Sequence, residues 1–277
     1  MTFADGSRVA TSPVAEVQER SSPTGTIVYH AVRKEGEDEL ERTSASLAWS
    51  GLAAGLSMGF SFAAEGLLRS ALPDTPWRPL VAKFGYTLGF LIVVLGRQQL
   101  FTENTLTVIL PLLRRRDRVM VQNVGRLWAI VLAANLVGAA LFAIVAAWSP
   151  AFEPSVRDAL LAIGSEAMSN PFATTLLRGV YAGWLIALMV WLLPFAESAR
   201  VWVIVMLTYI VGVGQFSHVI AGSVESLYAV AVGARSFQAY VTGYLAPSLL
   251  GNIAGGVSLV AAIAHAQFVA GVSEAEV

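Results

Sequence analysis

Cysteine is absent from this 277-residue chain, which removes disulfides, thiolate metal sites and cysteine nucleophiles from consideration. Charge is scarce as well. Asp, Glu, Lys and Arg make up 13% of residues against 56% hydrophobic, a balance foreign to an ordinary soluble domain. A net charge of −1 gives no electrostatic reason to expect a nucleic-acid partner. The polar, acidic N-terminus lacks the apolar run of a cleaved signal peptide, so insertion into lipid must rest on internal segments. No metal-ligand cluster and no nucleophile–base spacing accompanies those segments, so neither an enzyme nor a cofactor is expected. The short alternating strands of a membrane β-barrel are also missing.

What remains is an all-α membrane protein. Six apolar segments are long enough to cross about 30 Å of hydrocarbon: 46–68, 82–113, 122–148, 173–195, 200–231 and 238–269. Residues 1–45 read as a polar tail and 46–270 as the transmembrane domain. Residues 1–30, rich in Gly, Ser, Thr, Pro and charge, suggest disorder. The mixed charge of 34–47 suggests a surface helix leading into the first span. Basic residues concentrate in the tail and in 114–126, where Arg114, Arg115, Arg116 and Arg118 cluster, so both termini are expected in the cytoplasm.

An internal repeat is legible. Gly51-Leu-Ala-Ala54-Gly55 echoes Gly179-Val-Tyr-Ala182-Gly183, and Asn135-Leu-Val-Gly138 echoes Asn252-Ile-Ala-Gly255. Between them, Phe101-Thr102 of the second segment stands against Phe216-Ser217-His218 of the fifth, at an offset of about 115. Three spans per repeat force the second copy upside down in the bilayer, an arrangement that places pathways near the midplane.

Two polar interruptions carry the chemistry. Gly96-Arg97-Gln98-Gln99-Leu100-Phe101-Thr102-Glu103-Asn104-Thr105 cannot sit in an unbroken lipid-facing helix. A helix break is expected, its second half starting near Thr102 with amide groups able to meet an anion. The competing interpretation is a loop outside the membrane, but 84–95 and 106–113 are each too short to span. Of three histidines, His218 alone is embedded in an apolar span, where an ionisable group marks a solute or proton pathway by default. A purely structural histidine is the alternative. His30 and His265 suit solvated or interfacial positions. Glu65 and Arg69 have the spacing of a surface pair, and Arg97 and Glu103 could pair across the break. Glu225 stays open between a vestibule and the membrane boundary. Small residues at three- and four-residue spacing suit close helix packing, and Trp128, Trp148, Trp184 and Trp191 suit interfaces.

These motifs resemble the formate/nitrite transporter family over about 46–269, with the tail outside the match. Leu100-Phe101-Thr102 is similar to the family's loop in its broken second helix, and Phe216-x-His218 to its broken fifth helix. Asn135-x-x-Gly138 and Gly251-Asn252-x-x-Gly255 are similar to its third- and sixth-helix patterns. The resemblance implies an aquaporin-like bundle, a homopentamer in a bacterial inner membrane, and one pore per protomer for small monovalent anions. This chain departs at Gln99, where an acid is usual, and carries Glu103 after the threonine. Gly183 and Gly222 replace asparagines, and Arg97 and Gln98 are bulkier than usual. Its Glu-Asn-Thr run resembles a divergent branch of unknown substrate.

The implied pathway residues are His218, Thr102, Leu100, Phe101, Phe216, Gln99, Glu103 and Asn104. In this picture Thr102 orients the anion, apolar rings exclude hydrated ions, and His218 lends and recovers a proton. Two other functions fit the same chain. One is a neutral-solute channel of aquaporin type, suggested by Arg97, Gln99, Gly183 and Gly222. The other is a non-conducting scaffold or sensor, suggested by the long tail.

Overall fold

The computed structural model describes residues 25–261, with side chains to 258. His265 and residues 1–24 lie outside the described residues. Among the described residues every regular element is helical. Four helices are long and apolar enough to cross a membrane by length and composition: Ser44–Ala71, Arg78–Leu95, Arg118–Trp148 and Phe172–Phe195. Three of them coincide with the expected segments 46–68, 122–148 and 173–195, and Arg78–Leu95 overlaps only the first part of 82–113.

The chain opens with α1 (Gly25–Glu41). Its buried side is Tyr29, Val32, Gly36 and Leu40, spaced at helical intervals. The helix therefore begins inside the stretch expected to be unstructured and lies against the bundle rather than in solvent. Thr43 caps α2 (Ser44–Ala71), its side chain accepting from the Ser46 amide at 3.3 Å. The second segment is divided into α3 (Arg78–Ala82), α4 (Thr87–Leu95), α5 (Asn104–Thr107) and α6 (Ile109–Arg115). Then α7 (Arg118–Trp148) runs unbroken.

A helix not anticipated from sequence, α8 (Pro154–Ala167), follows and buries Val156, Leu160 and Ile163. After α9 (Phe172–Leu192), the fifth segment splits into α10 (Arg200–Val213) and α11 (Ala221–Ala231). The last run, 237–261, holds α12 (Ala246–Ala254) between two wide helical turns.

Two helix pairs form the frame. Between α2 and α7, a Cβ on Gly55 would stand 2.2 Å from the Asn135 carbonyl oxygen, and one on Gly138 would stand 2.5 Å from that of Leu52. Between α9 and α12 the same happens at Gly183 against Asn252 (2.4 Å) and at Gly255 against Val180 (2.2 Å). Backbones this close admit no side chain, the small-residue packing suited to lipid. Outward, Trp49, Trp148, Trp202 and a wide set of aliphatics are exposed, an apolar belt with no counterpart on a soluble domain.

Candidate functional site

Both interrupted helices end in the same way. After α4, Arg97 takes a left-handed conformation (φ 53°); the Gln98 amide donates to the Val93 carbonyl at 3.0 Å and the Arg97 amide to Val94 at 3.2 Å. After α10, Gln215 is left-handed (φ 49°); the Phe216 amide donates to Val211 and the Gln215 amide to Gly212, both at 3.0 Å. These are Schellman ends, which normally place glycine at the left-handed position. A larger residue there carries strain of roughly 1 kcal/mol or more.

The extended chain beyond each end is held by one asparagine. Asn135 Oδ1 accepts from the Phe101 amide at 2.9 Å, while its Nδ2 donates to Gly51 (2.7 Å) and Gln99 (2.9 Å) carbonyls. Asn252 Oδ1 accepts from the Val219 amide at 2.8 Å, and its Nδ2 donates to Gly179 (2.9 Å) and Ser217 (2.8 Å). Backbone groups freed by the interruptions thus find partners away from water, as hydrocarbon requires. The pairs Arg97–Gln215, Gln99–Ser217 and Phe101–Val219 are each 118 residues apart. At that spacing the counterpart of His218 in the other interruption is Leu100, although the residue in contact with it is Thr102.

At the centre, Thr102 Oγ1 lies 2.8 Å from His218 Nε2, and both residues have no solvent exposure. The Ala221 amide donates to His218 Nδ1 at 3.2 Å. Nδ1 is thereby an acceptor, so the proton of the neutral ring sits on Nε2 and points at Thr102. The Thr102 hydroxyl, accepting from the ring, keeps its own proton for another acceptor. Phe90 of α4 meets the imidazole edge-on at 5.0 Å between ring centres, a contact the sequence did not single out.

Of the remaining expected residues, Gln99 and Glu103 line one cavity and Phe216 another, while Leu100, Phe101 and Asn104 line neither. The first, about 720 Å³, is lined by Gln99 and Glu103 together with Glu35 and Glu39 of α1. Gln99 Nε2 donates to Glu39 Oε1 at 3.1 Å, and Gln99 Oε1 accepts from Asn104 Nδ2 at 2.9 Å. Thr107 donates to the other Glu39 oxygen at 2.5 Å. Enclosure between α1 and the bundle, opposed by these hydrogen bonds and reinforced by Glu35, pushes the Glu39 carboxyl up to about 7. Arg97 pairs with Glu35 at 2.6 Å rather than with Glu103, because docking of α1 brings that carboxylate to the left-handed turn. Glu103 Oε1 is buried without a hydrogen-bond partner.

The second cavity, about 50 Å³, lies toward the other end of α4 and is lined by Lys83, Tyr86, Phe216, Glu225 and Tyr244. Phe216 stacks on Tyr181 at 5.2 Å. Glu65 does not pair with Arg69: Lys83 takes Glu65 at 2.5 Å, and Arg69 reaches across to Glu166 of α8 at 2.6 and 2.9 Å.

Leu100 and Phe101 are fully buried, and Phe101 packs edge-on against Trp128 at 5.7 Å. Trp128, expected at an interface, instead donates its indole N–H to the Asn104 carbonyl at 3.1 Å and so braces the start of the second half-helix. A lone tryptophan in an apolar run carries no sequence signal of that role.

Interrupted helices, paired asparagines and a buried hydroxyl–imidazole contact between two cavities define a multi-pass membrane transport protein. The chain belongs to the formate/nitrite transporter family, whose model matches residues 26–266. The match starts within α1, so the tail expected to lie outside the family region lies partly within it. The chain is 39% identical over 253 residues to the inner membrane protein YfdC of Escherichia coli K12, covering 91% of this chain and 82% of that one. Its fold is similar to a pentameric formate channel with formate bound (TM-score 0.67, 20% identity, 86% of this chain and 99% of the other). It is also similar to an FNT family ion channel (TM-score 0.72, 18% identity, 90% and 100%).

Proposed function

We propose that the protein is a channel or transporter for a small monovalent weak acid of formate or nitrite type, permeating between the two cavities past Thr102 and His218. The observation that carries this reading is the 2.8 Å Thr102–His218 contact, sealed from solvent at the meeting of the two helix interruptions. A bare anion pays several kcal/mol to enter so dry a passage, whereas the neutral acid enters cheaply. The His218 ring, its Nδ1 taken by the Ala221 amide, donates to Thr102, and the Thr102 hydroxyl donates in turn to the solute oxygen. In this form the histidine orients the solute instead of carrying the proton across.

The architecture belongs to the same proposal. Six crossings arise as two inverted three-helix repeats of aquaporin type, with α10–α11 and the 237–261 run completing the second. The matching asparagine braces and the shared 118-residue offset of the two interruptions support it. Gly36 against the Thr107 carbonyl and Gly164 against that of Glu225 extend the correspondence to α1 and α8. The relatives' descriptions support a homopentamer in a bacterial inner membrane, and the arginine cluster after α6 favours cytoplasmic termini. The exposed apolar belt supplies surface for lipid and neighbouring protomers.

Proteoliposome flux of formate and nitrite against pH tests this reading. Wild-type flux should rise as pH falls, and Thr102→Val should suppress it. A pH-insensitive flux of uncharged solutes, with no weak-acid flux, would establish the neutral-solute alternative. Retained flux after deletion of residues 1–24 would count against a scaffold role for the tail.

A further inference from the structure

We infer that Glu103 and Glu225, one in each cavity, are the proton-exchanging groups of the pathway. This rests on the weak-acid reading and names the residues that neutralise the solute. Both ring nitrogens of His218 are engaged, Nδ1 by the Ala221 amide and Nε2 by Thr102, so protonating the ring would break the Ala221 bond. The proton must then be exchanged on either side of the ring.

The carboxylates around the cavities are mostly committed. Glu35 pairs with Arg97, Asp38 with Lys34, Glu65 with Lys83 and Glu166 with Arg69, and Glu39 holds Gln99 and Thr107. Two remain. Glu103 has a buried Oε1 without a partner, follows Thr102 directly and lines the wide cavity. Glu225 is 8% exposed, has no hydrogen bond or ion pair to a described residue, and lines the narrow cavity. It lies on α11, which begins three residues after His218.

Their charged neighbours are defined. Glu103 faces Glu39 and Glu35 of α1 and Arg97 of its own interruption. Glu225 faces Lys83, Glu65 of α2 and Glu166 of α8, with the phenols of Tyr86 and Tyr244 beside the same cavity. Each cavity is also lined by arginine, Arg42 and Arg200 on the wide side and Arg178 on the narrow side. Arginine attracts the anion, and the carboxyl in the same cavity supplies the proton.

The step balances. The Glu103 carboxyl O–H breaks as an O–H bond forms on the anion, leaving a Glu103 carboxylate and a neutral acid. That acid passes Thr102 and gives its proton to the Glu225 carboxylate. Glu225 then releases the proton to water in the narrow cavity, and water reprotonates Glu103. Exchange between a side-chain carboxyl and a small carboxylic acid joins like groups, so unequal acidity adds little barrier.

The test is formate uptake into proteoliposomes driven by an inward proton gradient, with the full chain as wild type, Glu103→Gln, Glu225→Gln and the corresponding Asp variants. Each Gln variant should lose about tenfold or more of gradient-driven uptake and flatten the pH profile, and each Asp variant should recover both. Ala variants replace any Gln variant that does not elute as the wild-type assembly. Wild-type uptake and pH profile in either Gln variant would overturn the inference while leaving the weak-acid reading intact. Absence of formate flux in the wild type would overturn that reading itself.

Discussion

Asn135 and Asn252 make the same three hydrogen bonds, each to one amide and one carbonyl of an interrupted helix and to one glycine carbonyl of a neighbouring span. Each is fully buried, so every partner it releases stays unsatisfied. Asn135→Ala strands the Phe101 amide and the Gly51 and Gln99 carbonyls, at a cost of roughly 2–4 kcal/mol. Thermal unfolding in detergent should show a large drop for either alanine variant, while Thr208→Ala should shift little.

Removing the Thr102 hydroxyl separates orientation from packing. Thr102→Val keeps the shape but leaves the His218 Nε2–H without an acceptor, a loss of about 1–3 kcal/mol. Flux should fall about tenfold or more, and Thr102→Ser should preserve most of it. Equal flux in the valine variant would remove the hydroxyl from the permeation step.

Glu39 ties the docking of α1 to pH. Its carboxyl is raised from the ordinary glutamate range to about 7, so the docked state holds the proton more tightly than the undocked state. The stabilisation is fully present below the ordinary value near 4.5 and is lost as pH rises through about 7. Hydrogen exchange of α1 amides should therefore accelerate between pH 6 and 8 in the wild type. Glu39→Gln should remove that step.

Gly222 and Gly183 stand where family relatives are expected to carry asparagine, and the structure leaves no room for one. A Cβ on Gly222 would fall 1.6 Å from the Tyr244 hydroxyl, and one on Gly183 would fall 2.4 Å from the Asn252 carbonyl. Tyr244 also donates to the His218 carbonyl at 3.2 Å, occupying the space such a side chain would need. Gly222→Asn alone should destabilise the protein strongly, and Tyr244→Ala should recover part of the loss. Gly183→Asn, facing backbone, should have no comparable rescue. Melting temperatures of the single and double variants decide it.

The long apolar helices were legible because hydropathy reports burial in lipid directly: 46–68, 122–148 and 173–195 lie within or upon Ser44–Ala71, Arg118–Trp148 and Phe172–Phe195. The interruptions were legible from polar runs that no lipid-facing helix tolerates. Amphipathic helices were harder. In α8 the buried residues Val156, Leu160 and Ile163 form one stripe among charges, a signal that a search for spans passes over. In α1 the stripe includes Gly36, pressed against the Thr107 carbonyl, and glycine advertises no burial. Ion-pair partners were hidden for another reason. Arg97 with Glu35 and Arg69 with Glu166 join residues 62 and 97 positions apart, beyond anything spacing along one helix can reveal.

The two cavities differ in size, about 720 against about 50 Å³. The wider has room for a cluster of water molecules, the narrower for only a few. On the proposed pathway, a solute arriving from the α1 side would keep more of its hydration shell up to Gln99 than one arriving past Lys83. Entry rates from the two faces would then differ, and a bulky blocker would fit better on the α1 side.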